Sequence, residues 1–156
     1  MKEMTFEEFS REVNNVYKKN CEVYYKLASH FGMTETMFDI LYFVRENDGG
    51  YTQAQLCESL YLRRQTVNSA LKKLEKDGVI YLSQDSRNKK NKTIHFTEKG
   101  KELAHNIVDP IFELEKRAFE RLTPQERKRV LYYGHRHIDV LEDETKKFLE
   151  KNKKNS

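Results

Sequence analysis

The sequence predicts a mostly α-helical fold with one small β-hairpin. Apolar residues recur at spacings of three and four over most of the chain, two short runs have the composition of strands, and a polar, basic segment separates those runs. A chain of 156 residues is long enough for one domain and too short for two ordinary ones. We therefore expect a single domain over residues 1–156.

Two helices are expected in the first third of the chain. Apolar residues between Phe6 and Phe31 form one stripe of a long helix, which Gly32 ends. Thr34 is placed to cap a second helix, because its side-chain oxygen can accept a hydrogen bond from an amide at the helix start. The turn-forming segment 47–50 ends that helix.

A short helix, a tight turn and another helix follow. Thr52 and Gln55 form a capping box for the third helix. The fourth helix ends at the segment 76–78, which closes on a glycine. The apolar face of the fourth helix consists of Val67, Ala70, Leu71 and Leu74.

A hairpin and two long helices complete the chain. The strands are expected over 79–82 and 93–96, with the basic segment between them as the hairpin tip. Thr97 caps a fifth helix, which we expect to kink at Pro110. The segment 123–126 combines a cap, a proline at the first helical position and a glutamate that returns the hydrogen bond, so it opens a sixth helix.

Composition and charge narrow the function classes. The mean hydropathy is −0.89, and no apolar run approaches the ~18 residues that a membrane span needs, so we expect no membrane partner. The amino terminus lacks an apolar secretory core, which predicts a cytoplasmic location. Cys21 and Cys57 lack Cys-x-x-Cys spacing, and we expect reduced packing residues in the core. A net charge of +4 permits a nucleic-acid partner without demanding one.

The fourth helix is the candidate reader of DNA. A short helix, a tight turn, a second helix and a two-stranded hairpin form the winged helix-turn-helix plan. Opposite its apolar stripe, the fourth helix carries hydrogen-bonding side chains near its start and cations later, which suits base edges first and phosphates afterwards. A solvated surface helix also carries lysines, and that alternative stays open. The outward positions are Gln65, Ser69, Lys72 and Lys76, with Thr66, Asn68 and Lys73 at the margins.

The segment between the strands concentrates positive charge where a hairpin protrudes. Protruding cations suit a phosphate backbone or a minor groove, although a loop of lysines is also common on solvated surfaces. Because this segment and the fourth helix are neighbours along the chain, together they favour DNA binding. The cations are Arg87, Lys89, Lys90 and Lys92.

Three blocks of the sequence carry a family likeness. They are the fourth-helix block 65–80, the segment 85–90 with its Asp-x-Arg, and the exit 96–100 with its Thr-Glu-Lys-Gly. Together they resemble the MarR family of bacterial transcription regulators. The resemblance implies a homodimeric repressor that binds palindromic operators in double-stranded DNA.

The resemblance also implies roles for individual residues. Arg87 would enter the minor groove, with Asp85 holding its guanidinium in place. Arg63 departs from the family, which usually has serine or threonine there, so an ordinary N-cap is missing, and the Leu62 backbone or a phosphate is the candidate substitute. The full set assigned to DNA is Arg63, Arg64, Gln65, Thr66, Asn68, Ser69, Lys72, Lys73, Asp85, Arg87, Lys89 and Lys90.

The two ends of the chain predict a dimer. Residues 33–100 suffice for a reader with its own core, yet residues 1–32 and 101–151 display further wide apolar stripes. A second copy would cover those stripes and set two reader helices one duplex turn, ~34 Å, apart. The alternative, in which both ends fold back on their own reader, leaves Phe6 and Phe148 hard to bury.

Catalytic and metal motifs are absent from the sequence. There is no glycine-rich phosphate loop, no His-Glu-x-x-His and no Gly-x-Ser-x-Gly, so we expect no enzyme and no cofactor. His105 and Asp109 are too few ligands for a metal site, and a surface hydrogen bond between them is the expected interaction. A winged-helix module for protein interaction, without sequence-specific DNA binding, is the alternative function.

A small-molecule effector is the remaining partner. The resemblance implies a crevice between the dimer helices and the reader, in which a small aromatic effector would bind and release the DNA. The same side chains are equally suited to a core. The candidates are Tyr25, His30, Met37, Phe38 and Tyr42.

Overall fold

The computed structural model describes residues 3–47, 50–84 and 92–153. They divide into two compact units, and the boundary falls between Pro110 and Ile111. Each unit is described by itself.

Four helices of the first unit follow the predicted order and bounds. The caps expected at Thr34 and Thr52 are present. The Met37 amide donates to the Thr34 hydroxyl oxygen over 3.3 Å. Thr52 and Gln55 form a reciprocal capping box at the start of the third helix. The helices are α1 (Phe6–His30), α2 (Glu35–Glu46), α3 (Gln53–Ser59) and α4 (Arg64–Lys76).

The sheet has three antiparallel strands in the order β1-β3-β2. The strands are β1 (Tyr51–Thr52), β2 (Ile80–Gln84) and β3 (Lys92–Phe96). β2 and β3 form the predicted hairpin pair, with Leu82 opposite Ile94. β1 was not predicted, because two residues are too few to show an alternating pattern.

Two long helices follow the sheet. The first, α5 (Glu98–Glu120), continues through Pro110 and crosses the boundary between the units. The kink expected at Pro110 stays a prediction. The second, α6 (Pro124–Lys153), begins as predicted: the Glu126 amide donates to the Thr123 hydroxyl oxygen, and the Glu126 carboxylate accepts from the Thr123 amide.

The core of the first unit lies where α2 and α3 pack against α4 and the sheet. No polar or charged residue is buried among the described residues. The core is therefore held by apolar burial, with its polar groups at the rim. Its most buried large side chains are Phe38, Ile40, Leu41, Val44, Leu56, Val67, Leu74, Ile80, Ile94 and Val108.

The ends of the chain expose much of their apolar surface. Of α1, only Ala28 is buried, and α6 has no buried residue. Cys21, expected to pack in a core, is exposed within one chain, because burial reaches α1 only near its carboxyl end. None of the described helices is both long enough and apolar enough to cross a bilayer.

Candidate nucleic-acid interface

The turn between α3 and α4 has a well-defined geometry. After α3, the Tyr61 amide donates to the Glu58 carbonyl over 3.3 Å, and the Leu62 amide donates to the Cys57 carbonyl over 3.1 Å. These two bonds form a Schellman motif, with Tyr61 in the left-handed region at a φ of 51°. The turn therefore ends α3 and sets the start of α4.

The start of α4 lacks a side-chain cap, as predicted. Arg63 occupies the N-cap position with extended backbone and makes no capping hydrogen bond. A hydrogen bond of 3.2 Å from the Gln53 side-chain amide to the Arg64 carbonyl ties α3 to the first turn of α4 instead. The first backbone amides of α4 therefore do not donate a hydrogen bond to the side chain of the N-cap residue.

The two faces of α4 separate as the sequence predicts. The inner face is buried, with Val67 and Leu74 almost inaccessible at 0% and 1% exposure. Asn68 is half-buried at the margin of the outer face. The other candidate residues of α4 and its cap are exposed: Arg63, Arg64, Gln65, Thr66, Ser69, Lys72 and Lys73.

The exposed cations of α4 lack carboxylate partners within the described chain. No ion pair among the described residues involves Arg63, Arg64, Lys72 or Lys73. No carboxylate of the described residues therefore neutralises their charges. The Ser69 hydroxyl donates to the Gln65 carbonyl over 2.9 Å, so its oxygen remains available as an acceptor.

A groove runs beside α4, and sequence reasoning missed it. It encloses about 580 Å³ between α3, α4 and the sheet. Arg64, Asn68 and Lys72 line it from α4, and Lys92 lines it from β3. Only the pairing of β3 with its neighbours brings Lys92 to the same groove, which no local pattern could indicate.

The predicted hairpin tip lies partly outside the described residues. Asp85, Arg87, Lys89 and Lys90 belong to that part of the chain. The strands that precede and follow them are paired as far as Gln84 opposite Lys92.

Hydrogen bonds at Thr97 connect the start of α5 to the residues between α4 and β2. The Thr97 hydroxyl donates to the Gly78 carbonyl over 2.6 Å, and the Thr97 amide donates to the Val79 carbonyl over 3.1 Å. The Gly100 amide donates to the Thr97 hydroxyl oxygen over 3.0 Å. A Cβ on Gly100 would collide with the Val79 carbonyl oxygen, so this position requires glycine. We call residues 77–79 with residues 97–100 the exit junction.

A second link joins α2 to α5. Arg45 donates two hydrogen bonds of 2.8 Å to the Asp109 carboxylate, which also contacts His105 Nδ1 at 2.8 Å. The hydrogen bonds from Arg45 hold the pKa of the Asp109 carboxyl below its usual value. The His105–Asp109 contact was predicted, whereas Arg45 lies too far along the sequence to be recognised as the partner.

The five effector candidates differ in their exposure within one chain. Met37 and Phe38 are buried, Tyr42 is half-buried, and Tyr25 and His30 are exposed. A cavity of about 240 Å³ lies between α1 and α2, and of the five candidates only Phe38 lines it. The other residues lining it are Asn20, Cys21, Tyr24, Glu35 and Asp39.

Asp39 is the electrostatically unusual residue of this cavity. Burial, with a smaller contribution from the nearby Glu35 carboxylate, raises the pKa of Asp39 to about 6. Among the described residues, no three histidine, cysteine, aspartate or glutamate side chains are arranged to hold a metal ion.

Comparison with known proteins places the chain among DNA-binding regulators. The model of the MarR family matches residues 31–90. An uncharacterised HTH-type transcriptional regulator of Bacillus cereus is 28% identical over 107 residues, which cover 69% of this chain and 70% of that protein.

Solved structures of MarR-family regulators are also similar to this chain. A putative MarR family transcriptional regulator from Listeria monocytogenes, solved with a 26mer DNA, is 25% identical, with a TM-score of 0.67 and 92% of each chain covered. The MarR family regulator NMB1585 from Neisseria meningitidis shares the fold, with a TM-score of 0.73 at 20% identity over 91% of this chain and 96% of that one. Members of this family are transcription regulators and not enzymes. These likenesses together support a transcriptional regulator of the MarR family with the winged helix-turn-helix fold.

Proposed function

We propose that the protein is a homodimeric repressor that reads a palindromic operator through the outer face of α4 and is released by a small aromatic effector. The observation that carries this proposal is the division of α4 into an inner face, on which Val67, Leu71 and Leu74 are buried, and an exposed outer face of polar and cationic side chains. A helix anchored in this way presents its outer side chains in a fixed arrangement, which direct base readout requires.

The order of side chains along α4 supports distinct roles. Gln65, Thr66, Asn68 and Ser69 carry hydrogen-bonding groups in the first two turns, which enter the major groove first in a helix-turn-helix complex. Lys72 and Lys73 come later, where a recognition helix reaches the phosphates. We assign base reading to the first group and backbone contacts to the second.

The cations at the start of α4 support phosphate binding. Arg63 and Arg64 lie at the uncapped start of α4, where exposed amides and a helix dipole also favour an anion. A phosphate of the operator would then supply the acceptor that the missing cap does not. Because these cations have no carboxylate partners among the described residues, their full charge is available for counterion release.

The basic segment between β2 and β3 is assigned to the minor groove. We place Arg87 in that groove, with Asp85 orienting its guanidinium and Lys89 and Lys90 near the phosphates. The paired strands support this assignment, since the two strand ends that lead into the segment are joined by regular β pairing. Arg87→Ala should weaken operator binding and lower the salt slope by ~1 for each phosphate that is no longer neutralised, whereas Asp85→Ala should do less because the cation remains.

Dimerisation is assigned to the chain ends, residues 1–32 and 101–151, around the reader of residues 33–100. Within one chain, Phe6 of α1 is 77% exposed and Phe148 of α6 is 66% exposed. Many other large apolar side chains of α1 and α6 are also exposed within one chain. A surface with so many exposed apolar side chains is normally covered by a partner. A two-fold axis would place the two α4 helices ~34 Å apart, one duplex turn.

An effector site is proposed near α2. The five candidates Tyr25, His30, Met37, Phe38 and Tyr42 remain the starting point, and the cavity that Phe38 lines between α1 and α2 offers space beside them. A ligand that binds there and shifts α2 would change the position of α4, because α2 packs directly on α4.

The known relatives support DNA as the partner. The Listeria monocytogenes regulator was solved with DNA, and the Bacillus cereus relative is named as an HTH-type regulator. For this chain, sequencing the DNA that co-purifies with the protein from its host would identify the operator fragments to be used as probes.

The decisive experiment compares two variants on operator DNA and on random DNA. Asn68→Ala should relax the preference for the operator, whereas Lys73→Ala should weaken binding to both DNAs alike, because only Asn68 is assigned to a base edge. Lys101→Ala, which replaces an exposed lysine of α5, is the control and should leave both affinities unchanged. Equal losses on both DNAs for both variants would contradict the assignment, and no DNA binding by the wild type would leave a protein-interaction module as the function.

A further inference from the structure

Tyr61 occupies a backbone conformation that normally selects glycine. It is the only described residue other than glycine with a positive φ, and it sits at the position of a Schellman motif where glycine is strongly preferred. A bulky side chain is sterically disfavoured there. Strained residues of this kind cluster at functional sites, so the conformation points to a role for the side chain.

Packing within the chain does not explain the tyrosine. The Tyr61 side chain is 95% exposed, the highest value among the exposed large hydrophobic residues of the described chain. Tyrosines usually bury most of their ring and stabilise a fold through that area. At this position the ring adds nothing to the core, and the backbone conformation opposes it.

The location of Tyr61 indicates its partner. It lies two residues before Arg63 and three before Arg64, the exposed cations at the start of α4. The turn bonds from Tyr61 and Leu62 to α3 hold its backbone in place, and its ring is exposed to solvent close in sequence to those cations. In a helix-turn-helix complex this part of the motif borders the phosphate backbone that flanks the major groove.

We infer that Tyr61 is an additional DNA contact: its phenolic hydroxyl donates a hydrogen bond to an operator phosphate while its ring packs on the adjacent deoxyribose. This inference rests on the proposed function, since it requires α4 to enter the groove. Tyrosine is one of the side chains that contact phosphate and sugar without reading sequence. The strained turn orients the ring toward the backbone of the duplex and away from its own chain.

Two variants separate the hydroxyl from the ring and the strain. Tyr61→Phe keeps the ring and the backbone and removes only the hydroxyl, so its affinity for operator and for random DNA should fall about tenfold, as when a hydrogen bond to a charged group is removed. The salt slope should stay unchanged, because a neutral donor releases no counterion. Tyr61→Gly should bind still more weakly and yet unfold at a higher temperature, because the strain is relieved.

The controls make the outcomes distinguishable. Tyr81→Phe removes a phenol from the ring that stacks on His95 and should leave DNA affinity unchanged. If the wild type and both Tyr61 variants bind DNA equally well, the Tyr61 contact is refuted while the proposed function stands. If Tyr61→Gly lowers the unfolding temperature, the strain argument is refuted, and if the wild type binds no DNA the proposed function itself fails.

Discussion

Helices α4 and α6 have the same kind of amphipathic sequence and opposite environments. The apolar face of α4 is buried, with Leu74 only 1% exposed, whereas no residue of α6 is buried and Leu131 is 63% exposed. An apolar stripe therefore predicts a helix and the face that will be covered, but not what covers it. For α4 the cover is its own unit, and for α6 we propose a second chain.

This difference separates two sources of stability. Burial of α4 stabilises the first unit at any protein concentration, at roughly 25 cal/mol for each Å² of apolar surface removed from water. Any stabilisation that α6 gains from a partner depends on concentration, because association follows mass action. The first region should thus behave as a folded reader and the second as an assembly surface.

Removal of α6 should have the largest effect. Truncation after Leu122 should abolish dimerisation and operator binding, because each reader then loses the partner that fixes half-site spacing. Light scattering after size-exclusion chromatography measures the oligomeric state. A truncated chain that stays dimeric and binds the operator would refute the division of roles.

A full-length variant guards against a folding defect. Leu141→Glu places a charge at an apolar position of α6 that is 55% exposed in one chain, and it should also produce monomers. Lys128→Glu on the same helix is the matched control and should remain dimeric.

Two leucine-to-alanine substitutions, one in α4 and one in α6, should distinguish burial within one chain from burial by a partner. Leu74→Ala should lower the free energy of unfolding by about 2–5 kcal/mol at every protein concentration, because it leaves a cavity in the core. Leu141→Ala should cost stability only at concentrations where the wild type is dimeric. Urea denaturation at high and low protein concentration measures both effects, and a cost of Leu141→Ala that persists in monomers would show that α6 is covered by its own chain.

Asp39 gives a pH dependence that belongs to the first unit. Its folded-state pKa of about 6 lies above the value of about 4 for an unfolded chain, so the folded state holds the proton more tightly. The free energy of unfolding should therefore fall as the pH rises from about 4 to 6 and stay lowered at pH 7.

Asp39→Asn should remove this penalty. Allowing for solvent screening at a half-buried site, we expect about 1 kcal/mol of added stability at pH 7 and no change at pH 4. Urea denaturation at both pH values provides the measurement. An equal gain at the two pH values would show that packing, rather than the charge of Asp39, is responsible.

The uncapped start of α4 should give the smallest effect on stability. Thr34 and Thr52 cap their helices through hydroxyl oxygens, whereas Arg63 does not cap α4. Arg63→Ser should raise the free energy of unfolding by about 0.5–1 kcal/mol through a new cap, and it should weaken DNA binding because a cation is removed. Thermal unfolding and gel shifts measure the two changes; a gain in both would contradict a phosphate role for Arg63.

Local features could be predicted from the sequence because their physics is local. The caps at Thr34 and Thr52 depend on residues three apart, and the inner face of α4 follows from helical spacing. The Arg45–Asp109 pair could not be predicted, since it joins side chains 64 residues apart. The strain at Tyr61 was also invisible, because it follows from a turn that could take several conformations.

In the candidate site, too, the features that depend on local sequence were predicted and those that depend on distant residues were not. Residues exposed on α4 were identified by their position on a helical wheel, whereas the groove that includes Lys92 arises from strand pairing. The exposure of Cys21 depends on what covers α1, which the pattern of one helix does not contain.

The exit junction has a mechanical consequence. Its bonds run from Thr97 and Gly100 at the start of α5 to the chain that leaves α4, with a further bond of 2.7 Å from the Lys99 ammonium to the Asp77 carbonyl. These bonds hold the start of α5 directly against the chain that leaves α4, and the absent side chain of Gly100 lets α5 approach the Val79 carbonyl closely. The first turn of α5 is thus bonded to the residues that directly follow α4, so a torque on α5 acts on the carboxyl end of the reading helix.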